Sequence, residues 1–567
     1  GELVHTGRLV PLYSLTQGLK PRQVRKLMKA VVDGFAEKVE DFLPSELIKR
    51  CKLLQLPQAI AQAHYPEDEA AKNRARYRLA FDELFILQLG VLSKKHDWQA
   101  SQPGNPLKAQ PTPLDIFLKS LPFELTSAQQ KVLKELLSDL ERKIPMSRLL
   151  QGEVGSGKTV VATAALLVAA ANGCQGAFMA PTEILAEQHF SNVSELLARA
   201  GELTAEEENL RTYSKIVGRP LTVALLIGDL KQARKQELQR QIAAGEIDIA
   251  IGTHALIQKE VGFKSLNLVV VDEQHRFGVE QRSALRQKGF NPHVLVMTAT
   301  PIPRTLALTL YGDLDLSVID ELPPGRQTVK TKWLKPEQRD SAYAFLRKQV
   351  AEGQQAFIIC PLVEESELIQ SRAAVAEYER LSGEIFPDLK LGLIHGRMSA
   401  AEKDEVMHRF RSGELQVLVS TPVVEVGIDV PNATVMLVES ADRFGLSQLH
   451  QFRGRVGRGS AQSYCMLLAE NPSEIGRERL DIIEKVQDGF QLAEEDLRLR
   501  GPGEFFGTRQ SGLPDLRMAK LSDVHLLELA RSEAIRLFEQ DPGLKKPAHT
   551  LLAKEVGRVW QGGGELS

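Results

Sequence analysis

Three clusters of residues carry chemistry. In Gly152-Glu153-Val154-Gly155-Ser156-Gly157-Lys158-Thr159 the spacing fits G-x-x-x-x-G-K-[ST], with a short apolar strand before it and a helical run from Val160 after it. Glycines let backbone N–H groups converge on phosphate oxygens, and the helix N-terminus adds partial positive charge. Lys158 supplies a point charge for the β and γ phosphates of ATP, and the Thr159 hydroxyl can ligate Mg²⁺. The bland alternative is a glycine-rich turn without nucleotide, and strand, loop and helix in that order disfavour it.

The second cluster is independent. Leu268-Val-Val-Val-Asp272-Glu273-Gln274-His275 is an apolar strand ending in two carboxylates. An open α/β sheet places ligands at the carboxyl ends of its strands. Asp272 would hold Mg²⁺, directly or through water, and Glu273 would orient and polarise the attacking water as general base. Upstream, Gln129 could read the adenine edge with its amide; the alternative is an ordinary helix start with Thr126 as N-cap.

The third cluster, Gln451-Phe-Arg-Gly-Arg455-Val-Gly-Arg458, fits Q-x-x-G-R-x-G-R. An arginine supplied from outside the phosphate loop stabilises charge in the transition state of phosphoryl transfer. Arg455 and Arg458 are the candidates for this role, while Arg453 could instead belong to a basic loop on nucleic acid. Arginines reaching the γ-phosphate across a cleft would make closure of two domains depend on ATP.

These residues need a scaffold. After a proline-rich linker between Ser101 and Pro113, short β-rich runs alternate with helical patterns twice over. The first series holds Arg148–Leu150, Ala177–Met179, Val223–Ile227, Ile247–Ile251, Leu268–Val271 and Val294–Met297. The second holds Ala356–Ile359, Leu391–Ile394, Val417–Ser420, Val435–Val438 and Tyr464–Leu467. Near-continuous apolar strands belong to parallel sheets covered on both faces. The fold class is α/β, with two parallel-sheet domains in tandem hinged at Leu322-Pro-Pro-Gly-Arg326, and the chain is helical before and after them. Val160 to Ala171 is too short to cross a bilayer, which needs about 20 residues, and reads as a buried helix. Arg74, Arg76 and Arg78 fall on a long helical pattern and read as a solvated face rather than a phosphate site. Gly201 to Pro220 reads as an inserted acidic loop around Glu206, Glu207 and Glu208, placed away from any nucleic acid.

Composition sets bounds. The 567 residues carry a formal net charge of −2, so no overall basic excess advertises nucleic acid, although a local groove needs only local charge. Cys51, Cys174, Cys360 and Cys465 form no C-x-x-C pair, which argues against zinc and fits a reducing cytoplasm. Gly1 is not Met, and no basic-then-apolar leader follows it, so the expectation is a fragment without a secretory signal.

With these motifs in order, the chain resembles superfamily 2 helicases. Ala180-Pro181-Thr182-Glu-Ile-Leu-Ala-Glu-Gln-His189 resembles motif Ia, and Gly252-Thr253-His254-Ala255 a nucleic-acid-contact turn. Thr298-Ala-Thr300 resembles motif III, Cys360-Pro-Leu-Val363 motif IV, and Thr421 through Gly427-Ile-Asp429 motif V. The resemblance implies two tandem RecA-like motor domains. It implies that Gly427 and Asp429 help bind ATP, and that Thr298 and Thr300 couple γ-phosphate status to closure. It implies too that Pro181, Thr182, Thr253, His254 and Thr421 contact backbone phosphates, which position a strand but read no sequence.

Finer signatures narrow this. Asp272-Glu-Gln-His-Arg-Phe-Gly-Val279-Glu-Gln-Arg282 and Met297-Thr-Ala-Thr-Pro-Ile-Pro-Arg304 resemble the RecG family and its relative, the transcription-repair coupling factor; the Gln274 form looks more like RecG. Asp488 through Gly512 is similar to the translocation element of both families, which implies coupling roles for Arg498, Arg500, Arg509 and Gln510. Gly7 through Leu19, His64-Tyr-Pro66 and Arg78 through Phe85 look like the segments between RecG's wedge and its motor.

The expected organisation is a helical linker region over 1–115 following a missing wedge, an ATP-binding domain over 116–325, a second motor domain over 326–475, and a translocation hairpin with C-terminal helices over 476–567. The resemblance implies an ATP-dependent, Mg²⁺-using translocase on duplex and branched DNA that reverses stalled forks and migrates Holliday junctions. It further implies a cytoplasmic, nucleoid-associated monomer that meets single-stranded DNA-binding protein and no membrane. Without the wedge, the chain is expected to track on duplex yet separate strands poorly. The rival readings are a coupling-factor-like translocase, a DExH RNA helicase, a nucleotide-gated scaffold without turnover and a protein-translocating ATPase. Intact Glu273, Arg455 and Arg458 argue against the scaffold.

Overall fold

The computed structural model describes residues 9–13, 20–101, 104–253, 256, 261–272, 291–301, 303, 307, 314–321, 327–360, 367–422, 430–459, 461–500, 516–519 and 523–561. The chain divides into two compact units, one of residues 103–303 and 315–499, the other of residues 1–102, 304–314 and 500–567.

The larger unit holds two sheets. The first is built from β1 (Ser147–Gly152), β2 (Gln175–Met179), β3 (Glu202–Glu207), β4 (Leu210–Ser214), β5 (Leu221–Leu226), β6 (Ile249–Gly252), β7 (Leu266–Asp272), β8 (His293–Thr298) and β9 (Asp315–Ile319). Its order is β3-β4-β5-β6-β2-β7-β8-β1-β9. From β5 to β9 every pairing is parallel. The second sheet is built from β10 (Lys330–Leu334), β11 (Gln355–Ile359), β12 (Leu391–Ile394), β13 (Val417–Ser420), β14 (Ala433–Val438) and β15 (Tyr464–Leu468), in the order β10-β15-β14-β11-β13-β12 and parallel throughout.

Strand residues alternate between two cores, as a sheet covered on both faces requires. In β7, Leu268 and Val270 enter the core that includes the helix Lys158–Ala171, and Val269 and Val271 enter the opposite one. In β11, Phe357 and Ile359 face one core and Ala356 and Ile358 the other. The helix Lys158–Ala171 is buried along nearly its whole length, as its apolar run implied. Parallel β1, β8 and β7 bring the phosphate loop after Gly152, Thr298 and Asp272 to one end of the first sheet.

The expectation of an acidic loop over 201–220 is overturned. Residues Glu202–Glu207 and Leu210–Ser214 form an antiparallel hairpin that extends the sheet beyond β5. Every residue of β3 is exposed, and Glu206 pairs with Arg211 at 3.0 Å. A charged edge strand discourages pairing with other chains, and it lacks the apolar alternation by which strands are read from sequence.

The smaller unit is helical: Pro21–Phe35, Ser45–Arg50, Leu56–His64 and Glu69–Ser101 from the start of the chain, Val524–Gln540 and Thr550–Gln561 from its end. Phe81, Leu84 and Phe85 share one core with Leu527, Ala530 and Ala534. The Glu83 carboxylate accepts the backbone N–H groups of Arg517, Met518 and Ala519 at 2.9–3.1 Å. Trp560 packs against Gly90, where a Cβ would come within 1.8 Å of its indole.

The solvated-face reading fails for Arg78. Its side chain is fully buried and donates to both Asp41 oxygens at 2.6 and 2.9 Å, to Asp82 at 2.8 Å and to the Leu54 carbonyl. A buried guanidinium needs that many acceptors. Arg76 lies 3.7 Å from Asp523, and Arg74 is exposed. The four cysteines are free. Among the described residues no helix is long and apolar enough to cross a membrane.

Candidate functional site

The phosphate loop has a defined backbone geometry. Gly155 and Gly157 take φ of +79° and +85°, a region that side chains strain. A Cβ on Gly157 would stand 2.3 Å from Gln129 Nε2. Gln129 is 1% exposed: its oxygen accepts from Thr126 N at 2.9 Å and its amide donates to the Ser156 carbonyl at 2.8 Å. Thr126 caps the helix Ser127–Leu140, so the capping role is filled, and the same glutamine pins the loop.

Lys158 turns back on its own loop, its ammonium donating to the Gly152 and Glu153 carbonyls at 2.8 and 2.9 Å. Ser156 Oγ is buried with no hydrogen-bond partner among the described residues. A phosphate would give that hydroxyl an acceptor and the lysine a stronger counter-charge than carbonyls.

Around the loop stand the other groups. Asp272 closes β7, and its Oδ2 lies 2.7 Å from His189 Nε2. Thr159 is the second residue of the helix after the loop. Hydroxyl and carboxylate oxygens are the hard donors that Mg²⁺ takes, so the donor set fits that ion. Thr298 Oγ1 accepts from Thr300 N at 3.1 Å, and buried Gln151 donates to the Thr300 carbonyl at 3.4 Å.

The second lobe meets this edge directly. Gln451, on the helix Leu446–Arg453, donates from Nε2 to Thr300 Oγ1 at 2.9 Å. Glu153 Oε1 accepts from Gly489 N at 2.6 Å and lies 3.8 Å from His450 Nε2. A Cβ on Gly454 would touch Val154 at 3.6 Å, so the Q-x-x-G-R segment abuts the phosphate loop. Arg455 is 3% exposed, and half-buried Arg458 donates to the Gly454 carbonyl at 3.3 Å.

Arg453 does not sit in an exposed basic loop, the setting the sequence allowed it. It is buried and donates to the carbonyls of Ile483, Val486 and Gln487 at 2.8–3.1 Å. It thus satisfies the carbonyl end of the helix Glu474–Lys485, where orphan acceptors need a donor.

Asp496 was missed altogether. Fully buried on the helix Gly489–Arg500, it accepts from Leu446 N, Ser447 N and Ser447 Oγ at 2.9–3.4 Å. It caps the helix that carries Gln451, whose N-cap, Gly445, has no side chain to do so. A helix opening on glycine was the available hint.

The expected strand-contact residues are placed as follows. Half-exposed Thr182 caps the helix Glu183–Ala200, its hydroxyl accepting from Leu185 N at 3.4 Å, and Pro181 beside it is half-exposed. Thr253, Thr298 and Thr421 are buried. Exposed Arg498 is held by Glu478 at 2.6 Å and Glu495 at 2.7 Å. Glu273, His254, Gly427, Asp429, Arg509, Gln510, the side chain of Arg500, the Leu322–Arg326 hinge and the Pro361–Val363 stretch lie outside the described residues.

Comparison with known proteins decides the family. DEAD/DEAH box helicases match residues 126–309, the helicase conserved C-terminal domain matches 338–460, and the C-terminal part of domain 3 of the ATP-dependent DNA helicase RecG matches 486–561. The ATP-dependent DNA helicase RecG of Bacillus subtilis is 46% identical over 547 residues, 96% of this chain and 77% of that protein. The chain belongs to the RecG family. RecG of Synechocystis sp. is 49% identical over 95% of this chain. The solved structure of RecG bound to a three-way DNA junction superposes with a TM-score of 0.75 at 41% identity, over 94% of this chain. This RecG-family chain spans 63% of the Synechocystis protein's length and 66% of the chain in that DNA complex.

Proposed function

We propose that this chain is the motor of an ATP-driven translocase on double-stranded and branched DNA, serving to regress stalled forks and to migrate Holliday junctions. The observation that supports it most is the seam where Gln451 meets Thr300 and Gly489 meets Glu153 at 2.9 and 2.6 Å. That seam puts the arginine segment of one lobe against the phosphate loop of the other.

ATP enters at the loop between Gly152 and Thr159. Lys158 leaves its two carbonyls for the β and γ phosphates, Ser156 Oγ gains an acceptor, and Gln129, which holds the loop through the Ser156 carbonyl, reads the adenine edge. Thr159 and Asp272 would hold Mg²⁺, which would offset phosphate charge. Glu273 orients water, Arg455 and Arg458 meet the γ-phosphate from the second lobe, and Gly427 and Asp429 complete the nucleotide's surroundings. Thr300, bonded to Gln451, relays the loss of that phosphate to the helix Leu446–Arg453.

Asp496 then carries the relay into the helix Gly489–Arg500, from which Arg500, Arg509 and Gln510 act on the duplex together with Arg498. Pro181, Thr182, Thr253, His254 and Thr421 line the strand track. The domain boundaries follow the same reading: linker helices over 1–115, motor domains over 116–325 and 326–475, translocation element over 476–567. Branched DNA is the proposed partner, by analogy with the RecG in the three-way junction complex, with single-stranded DNA-binding protein as a second. The chain works as a cytoplasmic, nucleoid-associated monomer.

A steady-state ATPase assay with duplex, forked and single-stranded DNA and with RNA tests this. Stimulation by forked and duplex DNA above the other two supports it; preference for RNA, or no turnover with any nucleic acid, overturns it.

A further inference from the structure

His189 has no part in the mechanism above, yet its imidazole touches the carboxylate assigned to Mg²⁺. We propose that His189 is a positioning residue for Asp272, its ring N–H fixing the orientation in which the carboxylate meets the cation and its water; this rests on the reading of Asp272 given under the proposed function.

The geometry is specific. His189 lies in the helix Glu183–Ala200 and is 6% exposed. Its ring packs on Phe178 of β2, centroids 4.4 Å apart at 36°. β2 pairs directly with β7, Met179 opposite Val271, so the ring is held beside the strand that ends in Asp272. Nε2 stands 2.7 Å from Asp272 Oδ2. A carboxylate only accepts hydrogen bonds, so the imidazole proton sits on Nε2. Nδ1 is buried and has no partner among the described residues, which leaves Asp272 as the one described polar partner the ring was placed to meet.

The consequence follows from side-chain mechanics. The terminal torsion of an aspartate is broad and nearly two-fold, so an unrestrained carboxylate swings. A directional N–H bond to one oxygen removes that freedom. Protein groups that orient metal-holding side chains typically contribute 10–100-fold in affinity or activity. A purely structural histidine would pack on Phe178 just as well without an N–H aimed at Asp272.

The test is Mn²⁺ binding to the ADP complex of the full chain, followed by the loss of the free-ion electron paramagnetic resonance signal. Fluorescent-ADP affinity in EDTA is measured in parallel. His189→Leu keeps an apolar contact and removes the donor; it is expected to weaken Mn²⁺ by about 10–100-fold and to leave metal-free ADP affinity unchanged. His189→Gln puts an amide N–H where Nε2 stood and is expected to restore most of the Mn²⁺ affinity. His189→Asn places its amide at the Nδ1 position, out of reach of Asp272, and is expected to behave like His189→Leu. Wild-type Mn²⁺ affinity in His189→Leu, or equal losses in the Gln and Asn variants, would overturn the inference. Asp272→Asn separates the two levels of the argument. If that variant also binds Mn²⁺ normally, the role of Asp272 itself is wrong. If it alone binds weakly, only the role of His189 is.

Discussion

Gln451 Nε2 donates to Thr300 Oγ1 across the seam between the two lobes, at 2.9 Å. It is a side-chain bond between the segment that carries Arg455 and the segment that closes β8. A bond in that place can report on the phosphate site to the second lobe without touching the nucleotide.

Removing either partner should therefore cost turnover more than nucleotide binding. A typical hydrogen bond contributes about 0.5–1.5 kcal/mol, so Gln451→Ala and Thr300→Val should each lower DNA-stimulated kcat by roughly 2–12-fold. Because both delete one bond, the double variant should be little worse than either single. Fully additive losses in the cycle would show that the bond is absent from the working enzyme.

Asp496 caps the helix of Gln451 with three hydrogen bonds from the next helix but one. Loss of an N-cap costs about 0.5–2 kcal/mol, so Asp496→Ala should lower the urea midpoint of the larger unit by a corresponding amount. It should also weaken stimulation of ATPase by duplex DNA while sparing basal turnover more. Unchanged stimulation in a folded variant would count against coupling through this cap.

Arg453 distinguishes structure from strand contact. Arg453→Met leaves the Ile483, Val486 and Gln487 carbonyls without their donor, and the buried Ile483 carbonyl alone makes this a loss of about 1–3 kcal/mol. The salt dependence of DNA binding should be unaltered. A drop of about one in the slope of log K against log salt would mean that Arg453 neutralises a phosphate after all.

In the helical unit, Arg78 is shared by two aspartates. Its paired bonds to Asp41 and two backbone bonds keep that carboxyl below its usual range despite burial. Asp82 is more deeply buried, keeps one guanidinium bond, and is pushed up to about 7 by loss of solvation. An acid whose folded pKa is raised holds its proton in the folded state where the unfolded chain has released it. Stability from Asp82 is therefore full below the ordinary carboxyl pKa and declines as pH climbs to about 7. Denaturant melts between pH 4 and 7 should show this slope, at most about 1.4 kcal/mol per pH unit, and Asp82→Asn should flatten it. An unchanged slope in that variant would place the titration elsewhere.

Much of this architecture was legible because parallel strands and phosphate loops write themselves into local sequence. The run at Leu268–Val271 needs apolar side chains on both faces, and the loop needs Gly155 and Gly157 where φ is positive. What escaped notice depends on distant partners. Asp496 serves a helix start some fifty positions earlier, and Glu83 receives backbone from residues 517–519. Arg78 reads as solvated in sequence because Asp41 and the Leu54 carbonyl are brought to it only by folding. The hairpin at 202–214 reads as a loop in sequence because its outer strand, exposed throughout, carries glutamates instead of an apolar stripe.

The central claim is that one lobe's arginines complete the other lobe's phosphate site. Single-turnover ATP hydrolysis by Arg455→Lys and Arg458→Lys, compared with ATP affinity measured in a Glu273→Gln background, tests it most directly. The account predicts that ATP binds nearly as before while hydrolysis by at least one variant falls on the order of 10³-fold or more, the scale of an arginine at the γ-phosphate. Wild-type hydrolysis rates in both variants would contradict it.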